Sequence, residues 1–413
     1  MEPAALRQCP VLDPTGSSLH AEAASLRAQG PATQVALPGG VVAWSVTRFA
    51  QIKALTSDRR VSRDPRRHWP ALAEISDDWP LSALVLPESA FNSYGPEHRR
   101  LRGLISTAFT PRRTEALRPQ VQRIVDRLIT DLIAVEPGHP VDLRATFAYK
   151  VPTEVICDLF GVPSELRPWM RRVIDAALHT AASPEQAQAD FLDLRSCMAA
   201  LIADKRAHLD QDMTSDLITA RDAEGQLDEE QLIGTCILMV GAGSETAVNL
   251  ILKAVHALLS HPDQLALLRI GTVTWGHVIE ETLRTEGPIE HMPLRYAVED
   301  IDLGEGVLIK AGDAIILGFG AAGRDPAVHG PDADTFDATR GNKEHVAFGH
   351  GPHFCLGAPL ARMEADIALR ALFETFPNLT LSDPGQVPPH QESFVANGFR
   401  ELSVRLSPGP AAV

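Results

Sequence analysis

Apolar positions recur at helical spacing from about residue 96 to 209, with breaks at Thr110-Pro111, Pro137-Gly138-His139-Pro140, Gly161-Val162-Pro163 and Ser183-Pro184. A longer helical pattern starts after Asp228, a good N-cap with Gln231 three residues on and Leu227 placed to staple the first turn. It runs to about Ser260 and stops before Pro262, roughly 32 residues or about 48 Å. From Leu232 to Val240 it is apolar nearly all round, which predicts burial on every side. Further helices are expected from about Thr274 to Glu286, ending at Gly287-Pro288, and from about Leu356 to Phe376.

Thr33–Leu37 and Val41–Val46 flank Pro38-Gly39-Gly40 and read as a β-hairpin. Strands are also expected at about Leu294–Val298, Ile301–Leu303, Val307–Ile309 and Ala314–Phe319, with short strands closing the chain. Residues 1–32 read as loop-rich, and residues 62–93 and 321–347 as irregular. The segment 62–93 holds Trp69, Trp79 and Phe91 among its prolines, and long irregular segments of this kind tend to be functional. The expected fold is mainly α with small β-sheets. No repeat or linker divides it, so residues 1–413 read as a single domain.

The charge balance narrows the function. A net charge of −15 over 413 residues argues against a general nucleic-acid binder. The chain is 45% hydrophobic and 22% charged, an ordinary globular composition. No continuous apolar run approaches the ~18 residues of a membrane span, and the first thirty residues carry no apolar signal core. Cys9, Cys157, Cys197, Cys236 and Cys355 are scattered, which suits a reducing compartment. The expectation is a cytoplasmic monomer that engages neither membrane nor nucleic acid.

Three segments carry chemistry. In Phe348-Gly349-His350-Gly351-Pro352-His353-Phe354-Cys355-Leu356-Gly357, a rigid Gly-Pro turn sets a cysteine at the mouth of a helix. The free N–H groups and dipole there favour a metal-binding thiolate. Two other readings are open: a structural cysteine in a Gly-rich turn, or a zinc site built from His345, His350, His353 and Cys355. The second segment, Gly241-Ala242-Gly243-Ser244-Glu245-Thr246, interrupts the long helix with residues that disfavour it. Either a flat ligand presses on the helix there or another helix packs closely. The Thr246 hydroxyl can also bond a backbone carbonyl and open the ladder. The third, Glu281-x-x-Arg284, places two opposite charges on one helix face.

In this order and spacing the three segments resemble the cytochrome P-450 family over nearly the whole chain. Gly323-Arg324-Asp325-Pro326 and Phe336-Asp337-x-x-Arg340 are similar to segments that precede the Cys loop in soluble bacterial members. Asn92-Ser93-Tyr94-Gly95-x-x-His98-Arg99-Arg100-Leu101-Arg102 and Pro293-Leu294-Arg295-Tyr296-Ala297-Val298-Glu299-Asp300 look most like the actinomycete family numbered 154.

The resemblance implies a cytochrome P-450 fold, with the long central helix over haem b and the Cys loop beneath it. It implies Cys355 as proximal iron ligand with Phe348 beside it, and His98, Arg102, Arg295 and His353 holding the haem propionates. Ala242 and Gly243 would face the haem. Glu245 and Thr246 match the acid–alcohol pair that delivers protons to dioxygen. The chain departs from the common pattern at Ala247 and Ser244. Glu281 and Arg284, with Arg340, match an internal core network.

The implied activity is hydroxylation or epoxidation of a hydrophobic small molecule in secondary metabolism. It would use O2 and electrons from NAD(P)H through a ferredoxin reductase and ferredoxin. Alternatives are a peroxide-driven oxygenase, which would lack the acid–alcohol pair, and a non-catalytic haem-binding protein. The implied substrate pocket draws on Trp69, Leu86, Phe91, Met239, His291, Met292, Phe394 and Val395, with residues near 170–182. Residues 99–118 carry a net of five positive charges in an acidic protein, a candidate docking face for an acidic ferredoxin.

Overall fold

A single helix, Glu229–Ser260, organises the molecule. The Asp228 carboxylate accepts from the Gln231 N–H at 2.8 Å, and the Gln231 side chain accepts from the Asp228 N–H at 3.4 Å, closing the expected capping box. Glu229 and Glu230 in the first turn complement the positive end of the helix dipole. Helices Lys150–Leu159, Pro184–Ala207, Trp275–Thr285 and Ala358–Thr375 pack around it. The computed structural model describes residues 9–407 apart from 77 and 223–224. Over that range the fold is mainly α with small β-sheets.

Burial of the central helix departs from expectation at one place. Leu238 and Met239 are only partly buried, because that face looks into a cavity instead of a neighbouring helix. By length and hydropathy the helix could cross a membrane, but 67% of its most apolar window is buried within the protein. The helix is assigned without a break through 241–246, and the Thr246 hydroxyl bonds a backbone carbonyl there as expected. The glycines there have different causes. A Cβ on Gly243 would sit 2.5 Å from Ile156 Cδ1, whereas one on Gly241 would meet nothing within 4 Å. Gly243 thus packs directly against the Ile156 side chain, which would have to shift to admit a Cβ.

The strands are β1 (Thr33–Ala36), β2 (Val42–Val46), β3 (Val61–Ser62), β4 (Pro140–Asp142), β5 (His291–Ala297), β6 (Ile301–Gly304), β7 (Val307–Ile309), β8 (Ala314–Gly318), β9 (Thr380–Leu381) and β10 (Ser403–Arg405). They form sheets ordered β1-β2-β8-β5-β3, β4-β10-β9 and β6-β7. The β1–β2 hairpin forms as expected, antiparallel, with Gly39 and Gly40 at φ +77°. The β5 strand begins at His291, earlier than its sequence pattern suggests, because it pairs back to Gly318. Its register shifts between Met292 and Arg295, at Pro293, which has no N–H to give the ladder.

Three irregular regions hold short helices. Leu19–Gln29 is helical within a segment expected to be loop. Its buried stripe is Leu19, Ala23 and Leu26, and the alanine blurs the apolar periodicity. Pro65–His68 and Ser82–Val85 are single turns within 62–93, and Phe319–Gly323 and Pro326–His329 precede the 330–347 stretch.

Glu281 and Arg284 are completely buried. Arg284 Nε and Nη2 bond the two carboxylate oxygens of Glu281 at 2.9 and 2.7 Å, and Arg284 also donates to the carbonyls of Gly323, Ala333 and Thr335. Arg340 Nε adds a contact to Glu281 at 3.4 Å. This network clamps the Trp275–Thr285 helix to the segment leading into the Cys loop. Breaking a buried pair from one side leaves an uncompensated charge and costs about 3–5 kcal/mol. Arg284→Met is expected to lower unfolding free energy by about that amount. Arg284→Lys should recover less than about half, because one ammonium cannot replace the guanidinium fork. Urea unfolding midpoints of the three proteins check this.

Candidate active site

The Cys loop owes its shape to two left-handed glycines, Gly349 at φ +74° and Gly351 at φ +71°. A Cβ on Gly351 would also lie 2.5 Å from the Thr56 carbonyl oxygen. The Cys355 N–H donates to the Phe348 carbonyl at 2.8 Å, which closes the loop, and both residues line the same cavity. Backbone N–H groups of Gly357 and Ala358 point at the Cys355 sulfur as the Ala358–Thr375 helix begins. Burial pushes the thiol up from its ordinary value, and these amides with Arg102 and Arg362 oppose that rise. The sulfur is enclosed by protein but open to a cavity, which gives Cys355 its accessible surface.

The zinc reading does not fit. His345 Nε2 lies 3.1 Å from Glu280, and its Nδ1 accepts the Ala347 N–H at 3.1 Å, so both ring nitrogens are occupied. Among the described residues no three His, Cys, Asp or Glu side chains converge as a metal site.

The cavity has a volume of about 310 Å³ and lies between the Cys loop and the central helix. Phe348, Cys355 and Leu356 line one side, and Met239, Gly241, Ala242, Gly243, Thr246 and Ala247 the other. The Thr246 hydroxyl donates to the Ala242 carbonyl at 2.8 Å. Ser244 is buried, bonds the Val240 carbonyl at 3.0 Å and does not line the cavity. Glu245 does not line it either. One residue further round the helix from Thr246, it accepts from Arg144 Nη2 at 2.8 Å and from Gln391 Nε2, while its second oxygen has no partner. Burial pushes the Glu245 carboxyl up, with Arg144 the largest opposing influence. Neither Arg144 nor Gln391 carries a local sequence signal, since each meets Glu245 only through the fold.

One end of the cavity is basic. Arg102, Arg295 and His353 line it, and the His98 ring lies against His353 with centroids 4.0 Å apart. Arg63, which sequence reasoning missed, lines it too. Among the described residues none of these five makes an ion pair with a carboxylate within 4.0 Å. Arg63 Nε, His98 Nε2 and Arg295 Nη1 are buried without hydrogen-bond partners. Burial pushes His98 down to about 4 and Arg295 down to about 10, as expected for cationic groups enclosed without anions. This donor set fits the expected haem: an apolar slot for a flat ring, basic groups for its two carboxylates, and a cysteine sulfur for a soft metal.

The expected substrate pocket is partly corrected. Phe91, Met239, Met292 and Val395 line the cavity, as do Ile174, Ala177 and Leu178. Trp69 does not, being stacked on Tyr296 at 5.2 Å and close to Trp79 at 5.7 Å in a separate core. Phe394 belongs to that core, and the buried His291 ring bonds the Phe394 carbonyl through Nδ1 at 2.9 Å. Leu86 caps the Ser82–Val85 turn, leaving Ala83, Leu84 and Pro87 to face the cavity.

Glu364 was also not anticipated. It lines the cavity from the Ala358–Thr375 helix, is 1% exposed, and has an unpartnered carboxylate oxygen. Burial pushes its carboxyl up to about 8 from 4.5. The native state therefore holds a proton that the unfolded chain releases. This group's contribution to stability falls as pH rises from about 4.5 to about 8 and is level above that. Glu364→Gln should gain stability relative to the unsubstituted protein across that window, by up to a few kcal/mol at pH 8. Denaturation midpoints at pH 5, 7 and 8.5 test the sign.

Comparisons with known proteins point to one family. The family model "Cytochrome P450" matches residues 276–401. A 2-hydroxy-5-methyl-1-naphthoate 7-hydroxylase from Streptomyces carzinostaticus is 42% identical, covering 98% of this chain and 99% of that protein. The 6-deoxyerythronolide B hydroxylase of Saccharopolyspora erythraea is 35% identical over 93% of this chain and 95% of its own. The solved structure of CYP154A1 from Streptomyces coelicolor A3(2) is 49% identical and superposes with a TM-score of 0.94, covering 97% of this chain and all of the other.

Proposed function

The chain belongs to the cytochrome P450 family, and from that premise we propose a haem-thiolate monooxygenase in which Cys355 is the proximal ligand and Thr246 the distal alcohol. The protein is a P450 monooxygenase, and family membership implies haem and O2. The observation that carries the residue assignment is that Cys355 and Thr246 line opposite sides of one cavity with a basic end. Bound haem supplies dioxygen activation, with one oxygen atom going to substrate and the other to water.

The protein's own groups do the rest. Cys355 holds the metal through a sulfur that two backbone amides face. His98, Arg102, Arg295 and His353 hold the carboxylate edge and fix the ring's orientation. The Thr246 hydroxyl holds a proton-donating position at the cavity wall. We assign Glu245 as the acid of the pair; it is held off the cavity wall by Arg144 and Gln391, so it reaches the Thr246 position only by leaving Arg144. Met239, Met292, Phe91 and Val395 exclude water from the apolar part of the cavity.

The apolar walls suit a bulky hydrophobic substrate of secondary metabolism. The names of two relatives, a naphthoate hydroxylase and a 6-deoxyerythronolide B hydroxylase, support that class. Thr246→Ala tests the reading. Product formed per NAD(P)H consumed is expected to fall and peroxide release to rise several-fold, with substrate affinity changed by less than about twofold. Unchanged coupling would remove Thr246 from proton delivery.

For electron supply we assign ferredoxin docking to the surface around Arg99, Arg112 and Arg113. Their side chains are exposed and make no ion pair or hydrogen bond among the described residues. The docking charge is smaller than the sequence suggests, because Arg100 pairs with Glu97, Arg118 with Glu115, and Arg102 donates to the Phe354 carbonyl. Phe354, next to Cys355, is 44% exposed and accepts from Arg102, which lies on the same helix as Arg99. An acidic partner would gain mainly in association rate, and less so in high salt. Arg112→Glu with Arg113→Glu should slow ferredoxin-supported turnover about tenfold at low salt and spare peroxide-supported turnover. An equal fall in both would leave the docking assignment unsupported. A cytoplasmic location accords with these partners.

A further inference from the structure

Arg63 directly follows β3, whose pairing with β5 delivers it beside Pro293 and Arg295. It is 2% exposed. Arg63 Nη2 donates to the Pro293 carbonyl at 2.7 Å, where the register shift of β5 leaves that oxygen free of the ladder. Its guanidinium carbon lies 3.4 Å from the centroid of the Phe91 ring. One hydrogen bond and one aromatic face thus fix the plane of the guanidinium before any ligand arrives. Nε has no partner, and among the described residues no carboxylate lies within ion-pair distance.

Arg63 is close enough to Arg295, His98 and His353 for their charges to act on one another. A buried guanidinium without an anion is costly, and it stands where two carboxylates are expected. A flat apolar ring with a dianionic edge would satisfy it together with its neighbours.

We propose that Arg63 is a further anchor for the carboxylate edge of the haem, beside His98, Arg102, Arg295 and His353, and that its stack on Phe91 ties cofactor retention to the wall of the substrate cavity. The inference rests on the haem reading of the cavity and extends it to a residue outside the sequence motifs. A carboxylate on the substrate is the other possible source of the same chemistry. The position of Arg63 among the basic groups assigned to the ring edge favours the haem.

The test follows haem loss from the holoenzyme to excess apomyoglobin. Arg63→Gln should speed transfer about tenfold, the size of a lost charged hydrogen bond, and Arg63→Lys should fall between it and the unsubstituted protein. Phe91→Leu should speed transfer by about two- to threefold. The propionate-bending band of the resonance Raman spectrum should move in Arg63→Gln, a signature that a purely structural role would leave in place. Faster loss with an unmoved band, or transfer within about twofold of the unsubstituted protein, would overturn the proposal. So would unchanged haem loss with weakened binding of 1-naphthoate relative to 1-naphthamide, which would assign Arg63 to substrate. Failure of the unsubstituted protein to take up haem would instead overturn the reading beneath it, a result separable from all of these.

Discussion

The structure depends on an electrostatic imbalance that folding alone does not resolve. Arg63, His98, Arg102, Arg295 and His353 gather at one end of a cavity, and no carboxylate of the described chain pairs with them. Elsewhere among the described residues the buried lysines and arginines are paired: Arg284 with Glu281, Lys253 with Glu286, Lys205 with Asp212. Burying cations without partners is unfavourable enough that such a cluster implies a missing anion. The rest of the cavity is mainly apolar and reaches a cysteine sulfur, a lining that fits the haem implied by membership of the cytochrome P450 family.

Two devices hold that cavity open. The central helix supplies one wall, and its capping box and surrounding helices fix its position. The Glu281–Arg284 clamp ties the neighbouring helix to the backbone at Gly323, Ala333 and Thr335, upstream of the Cys loop. The loop is rigid in turn, because Gly349 and Gly351 adopt conformations that other residues resist. The thiol and the distal wall are thereby placed by elements with little freedom to move, as a preorganised site requires.

Much of this was legible in the sequence because its causes are local. Asp228 and Gln231 cap the central helix, the Pro-Gly-Gly turn makes the β1–β2 hairpin, and the Cys-loop glycines follow from a fixed motif. What was not legible depends on distant partners. Arg144 and Gln391 reach Glu245 from more than a hundred residues away in sequence. Arg63 becomes a cavity residue only because β3 pairs with β5. Glu364 looks like any acid on an amphipathic helix until its face is buried. The misplaced pocket residues show the converse. Trp69 and Phe394 lie in segments that approach the cavity, but their large apolar side chains are drawn into a neighbouring core, leaving smaller residues such as Ala83 and Pro87 at the wall. The leading helix Leu19–Gln29 was hidden by alanine, which favours helix without marking a hydrophobic stripe.

The central claim is that Cys355 sulfur is the protein's bond to the cofactor's metal, and the absorption spectrum of the reduced carbonyl complex tests it most directly. The unsubstituted protein should show a strongly red-shifted Soret band, which thiolate ligation produces, and Cys355→His should lose that shift while still binding haem. A Cys355→Ala protein that retained the carbonyl spectrum of the unsubstituted protein would contradict the account.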